Sequence, residues 1–130
     1  MGIIAKYPGQ HYYLDYVTPP TTEWTDLTSL NELEEVIKES FNHPVVIFKH
    51  STRCDQSNAL LKNFERRYDS AADIPIPYFL DLITYREVSD EIALRFDVKH
   101  ESPQVIFLKD GVMVKHASHR EIVEIEFTLK

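Results

Sequence analysis

The run FKHSTRCDQSNALL, residues 48–61, holds the chain's only cysteine, Cys54, and Ser57 follows it three residues later. A thiolate is the nucleophile of thiol–disulfide exchange, and dithiol redox sites often place a second cysteine at that distance to resolve the first. With Ser57 there instead, Cys54 can attack a disulfide but cannot close one with its neighbour. Lys49, His50 and Arg53 favour the thiolate, while Asp55 opposes it. A charge near a helix end is worth about 0.3–1 kcal/mol and a pKa unit about 1.4 kcal/mol, so Asp55 blunts activation without abolishing it. A lone cysteine also fits simple packing, since free cysteine is among the most buried residue types. Against packing, STRCDQSN surrounds Cys54 with no other apolar residue. Both readings, reactive thiolate and inert core residue, stand on these residues alone.

The elements that would position Cys54 can be read from hydrophobic periodicity. Val45 to Phe48 form a continuous apolar run, as in a strand buried on both faces. Beyond Cys54, Leu60, Leu61, Phe64 and Tyr68 recur at helical spacing. Cys54 therefore falls after a buried strand and a short loop, at the first turn of a helix. Unpaired backbone N–H groups there favour an anion, and α/β folds bind ligands at such strand ends.

Upstream, Ser29 and Glu32 have capping-box spacing at the start of a helix whose stripe is Leu30, Leu33, Ile37 and Phe41. Downstream, IPIPYFLDL is a second buried strand, expected to start near Tyr78 because of Pro75 and Pro77. Val88, Ile92 and Phe96 mark a third helix. QVIFL and VMVKH flank Lys109-Asp110-Gly111, a hairpin signal. The segment SHREIVEIEFTLK fits strand or helix, and Ser118 with Glu121 favours helix. Strand–helix–strand and then a hairpin predict an α/β sandwich with a mixed central sheet and flanking helices. Residues 1–23, rich in tyrosine and ending near Pro19-Pro20, form an N-terminal arm or edge extension beside a domain over 24–130.

The 130 residues suffice for one such domain. A formal net charge of −7 disfavours a nucleic-acid surface, which needs clustered Lys and Arg. Three glycines leave no phosphate cradle, and one cysteine leaves no internal disulfide or multi-cysteine zinc site. His116-x-x-His119 straddles a strand end and a helix cap, poor metal geometry, so no metal is expected. No apolar run reaches membrane-spanning length, and MGIIAKYPGQ lacks a secretory core. Lys6 stands where myristoylation wants Ser or Thr. The cytoplasm is the expected compartment.

Taken together, Cys54 after its strand, Ala93, Phe96 and Val98, then Pro103, Ile106, Phe107 and Gly111 resemble a thioredoxin-like protein. More narrowly, FKHSTRC with Ser57, VKHESPQ and SHREI resemble the monothiol bacilliredoxin family, over about residues 24–130. The family commonly reads Cys-Pro-Ile-Ser, whereas Asp55 and Gln56 follow Cys54 here. The resemblance implies a thioredoxin-like fold with Cys54 as nucleophile and Ser57 in the resolving position, able to hydrogen-bond the sulfur or cap local backbone. Thr52 and Arg53 would shape the mouth of the site. Ser102 and a cis Pro103 would lie opposite Cys54 and pair with an incoming disulfide. It further implies removal of small thiols from S-thiolated client proteins, with a low-molecular-weight thiol such as bacillithiol as co-substrate and no bound cofactor. The competing function is a non-catalytic thioredoxin-fold binding or stress-response module.

Overall fold

Strand β2 (Val45–His50) is buried along all six residues, Lys49 and His50 included. The computed structural model describes residues 22–51, 55–69, 71 and 74–127, with no side-chain description at Asp55. On one side β2 pairs in parallel with β3 (Ile76–Asp81), and on the other antiparallel with β4 (Gln104–Lys109). β5 (Val112–Ser118) follows β4 in a hairpin, and β1 (Thr25–Asp26) adds to the far side of β3. The order is β1-β3-β2-β4-β5, a mixed sheet of thioredoxin-like α/β type. At the hairpin turn Asp110 has φ 54° and Gly111 φ 80°, the pair of positive angles that a two-residue turn matching strand twist requires.

The sheet is covered on both faces. Leu33 and Val36 of α1 (Leu30–Glu39) and Val88 and Ile92 of α3 (Arg86–Arg95) pack on Val45, Ile47, Ile106 and Leu108. On the other face, Phe64 and Tyr68 of α2 (Asp55–Asp69) pack on Val46, Phe48, Val105 and Phe107. Alternate residues of β2 thus serve opposite cores, which explains why its sequence is apolar without alternation. Among the described residues, no helix is long and apolar enough to cross a membrane.

Several local expectations need correction. Strand β3 begins at Ile76, before Pro77. The Ile76 and Leu82 N–H groups donate to Pro44 and His50 carbonyls, so even positions face β2. Pro77 faces the other edge, where β1 pairs only from Tyr78 onward, and its missing donor leaves no ladder bond unmade. The two-residue strand β1 is too short to carry a periodic signal. In α1, Leu30 and Phe41 are 42% and 61% exposed, and the buried stripe is Leu33, Val36 and half-buried Ile37. Ser29 accepts from the Glu32 N–H, but Glu32 reaches Thr28 N instead of closing the box on Ser29.

At the C-terminal end both halves of the Ser118–Glu121 box form, yet only a five-residue 3₁₀ helix follows, His119–Val123. Ile122 and Phe127 are both buried. On an α-helix residues five apart point about 140° from each other, so a continuous helix could not place both in the core. Burial of Phe127 prevails, and residues 125–127 run on without regular structure. Of the proposed N-terminal arm, residues 1–21 lie outside the described residues.

Candidate functional site around the end of strand β2

Antiparallel pairing sets Lys49 of β2 opposite Gln104, the first residue of β4. The last turn of β2, the loop before β4 and the first turn of α2 therefore converge. The Ser102–Pro103 peptide bond, in that loop, is cis. Pro103 is buried and Ser102 half-buried, and the Pro103 carbonyl accepts from the His119 N–H at 2.9 Å, tying the loop to the end of β5. Thr52, Arg53 and Cys54 lie outside the described residues; in the chain, Cys54 immediately precedes Asp55, the first residue of α2.

Ser57 is fully buried in the first turn of α2. Its hydroxyl oxygen lies 2.7 Å from His50 Nδ1 and accepts from the Ser51 N–H at 3.3 Å. Burial lowers the His50 pKa, against the opposing effects of an Asn58 hydrogen bond and the Asp81 charge. Nδ1 and the Ser57 hydroxyl form a buried hydrogen bond whose donor is set by the imidazole tautomer. The Ser57 hydroxyl thus holds the backbone at the end of β2, and Cys54, its other expected partner, lies outside the described residues. His50, expected at the core or rim, is core.

The opposite face carries a second polar cluster that sequence reasoning missed. Lys49 is completely buried, and its ammonium donates to His100 Nδ1 at 3.0 Å and Gln104 Oε1 at 3.1 Å. Gln104 in turn donates to the Lys99 carbonyl and the Ser118 hydroxyl, and Ser89 of α3 lies 3.3 Å from His100 Nδ1. Lys49, a charge close to Cys54 in sequence, thus spends its donors on the residues that flank the cis-proline loop. The available signal was weak: one lysine after an apolar run, and one serine among the buried positions of α3.

Burial pulls the Lys49 pKa from 10.5 down to about 8, against the pull of Asp90. Because the folded value lies below the unfolded one, the unfolded chain binds more protons between pH 8 and 10.5, and Lys49 makes stability rise with pH there. Below about pH 8 its full penalty is present. Urea unfolding of the parent and of Lys49→Met at pH 7.5, 9 and 10.5 checks this. The parent should gain on the order of 2–3 kcal/mol relative to the variant across the series. A pH-independent difference would mean that Lys49 is not strained by its charge.

Comparison with known proteins agrees with this fold. The profile of the family described as monothiol bacilliredoxin BrxC matches residues 25–127. A solved structure described as a candidate oxidoreductase with a thioredoxin fold is similar at 34% identity and TM-score 0.68, over 77% of this chain and 87% of that one. Thioredoxin from Malassezia sympodialis matches with TM-score 0.66 at 19% identity, over 88% of this chain and 91% of that one. Thioredoxin from Fasciola hepatica matches with TM-score 0.60 at 20% identity, over 77% and 96%. The last two speak for the fold alone. Matched over residues 25–127, the chain belongs to the monothiol bacilliredoxin family.

Proposed function

We propose that this thioredoxin-like redox protein is a monothiol thiol–disulfide oxidoreductase that takes low-molecular-weight thiols, of which bacillithiol is the expected one, from cytoplasmic S-thiolated proteins. The observation that carries the reading is the family match over a chain whose one cysteine directly precedes α2, with buried Ser57 at the resolving position. In the first step the Cys54 thiolate attacks the small-thiol sulfur of a client mixed disulfide. The client thiolate leaves and takes a proton from solvent, and the small thiol is now disulfide-bonded to Cys54. A second small-molecule thiolate then attacks that sulfur, regenerating Cys54 and releasing a symmetrical small disulfide for an external reductant. Cys54 is not consumed and no internal disulfide forms.

The test is multiple turnover. An S-thiolated model protein is mixed with a tenth of an equivalent of this protein and excess small thiol, and free client is measured by mass. The parent should release several clients per Cys54, and Cys54→Ser should add nothing to the uncatalysed rate. Parent activity no greater than that of Cys54→Ser would favour the non-catalytic binding module.

A further inference from the structure

Lys49 is completely buried in β2, and its two partners stand at the two ends of one short loop. Its ammonium donates to His100 Nδ1 at 3.0 Å and to Gln104 Oε1 at 3.1 Å, and only Glu101, Ser102 and Pro103 lie between those residues. Gln104 also donates to the Lys99 carbonyl and to the Ser118 hydroxyl, closing the base of the loop and fastening it to β5. One side chain thus clamps both ends of the loop from inside the core.

Stability does not explain a lysine at this position. Taking an ammonium out of water is costly, and an apolar side chain of similar volume often serves a fold as well or better. Residues that break the burial rule in this way are expected where function needs a fixed geometry. What the clamp fixes is backbone left unpaired. Pairing of β4 with β2 and with β5 stops at Gln104, and no hydrogen bond engages the Ser102 backbone among the described residues. Unpaired backbone beside a strand end can pair with an extended peptide, which a protein client brings and a small thiol does not.

We propose that Lys49 is a positioning residue for client capture: through His100 and Gln104 it holds the Glu101–Pro103 loop so that Ser102 meets an extended client segment with its backbone already in place. The role rests on the exchange reaction proposed above. Two variants separate the clamp from the charge. His100→Leu removes one arm of the clamp and keeps the ammonium, whereas Lys49→Met removes both. His100→Asn keeps an acceptor in place of Nδ1. His100 is exposed, so the fold tolerates both of its changes.

Each variant is given the S-thiolated model protein over a range of concentrations with small thiol in fixed excess, and alkylation of Cys54 by iodoacetamide is timed separately. His100→Leu and Lys49→Met should each raise KM for the client about 5–10-fold, the effect of losing one well-made hydrogen bond. Their kcat should not change, because release by the small thiol makes no use of the loop. His100→Asn should return KM towards that of the parent. Iodoacetamide, which has no extended backbone, should alkylate His100→Leu at the parent rate. An unchanged KM in both clamp variants would overturn the positioning role and leave the exchange reaction standing. So would a Lys49→Met protein that loses kcat and alkylation rate while His100→Leu matches the parent, since Lys49 would then act by its charge alone. A parent with no turnover would sink the exchange reaction and this role with it.

Discussion

Ser57→Cys should let the protein expel a captured small thiol without any external reductant, on the order of 10²-fold faster than the parent. Residues three apart on a helix lie about 5–6 Å apart, inside the window for a disulfide, and Cys54 directly precedes α2. Structure adds a second reason. The Ser57 oxygen sits 2.7 Å from His50 Nδ1, so an introduced thiol would lie beside an imidazole nitrogen. Its thiolate then attacks Cys54 Sγ, the small thiolate leaves, and an internal disulfide forms. Attack within one molecule replaces a bimolecular encounter, which is the source of the expected rate. Both proteins are loaded with a thiol disulfide, freed of reagent and followed by intact mass. If both hold the adduct equally long, position 57 is not the resolving position.

Phe64→Ala should cost about 3–5 kcal/mol of stability. Phe64 is fully buried, with ring centroids 5.4 Å from Phe48, 5.8 Å from Trp24, 6.0 Å from Tyr68 and 4.8 Å from Phe127. No neighbouring element can collapse into that space without dragging α2 or the C-terminal segment off the sheet. Because α2 also carries Ser57, the His50 contact should loosen with it. Urea denaturation followed by Trp24 fluorescence measures the loss directly, the tryptophan being part of the same cluster. A cost below about 1 kcal/mol would mean that the helix is not anchored through this ring.

Much of this arrangement was legible in residue order, and the failures have a common cause. The buried run Val45 to Phe48, the stripe Leu60, Phe64 and Tyr68, and the Asp110-Gly111 turn each express one local rule that the fold does not override. Errors arise where tertiary packing decides. Phe41 has helical spacing but lies beyond the end of α1 at Glu39, and Pro77 is tolerated only because β1 stops short of it. The C-terminal capping box is intact, but the burial of Phe127 sets the path of the chain beyond it. At the site, Pro103 is cis as the family resemblance implies. The Lys49–His100–Gln104 cluster could not be seen beforehand, because its members are 51 and 55 residues from Lys49 and meet only through strand pairing.

The most direct test of the central claim is the mass of the protein isolated from its own oxidatively stressed cells under acid quench. The account predicts a single adduct of a low-molecular-weight thiol on Cys54, removed by brief treatment with free thiol and absent from Cys54→Ser. A Cys54 that is only unmodified, or oxidised to sulfinic or sulfonic acid, would contradict it.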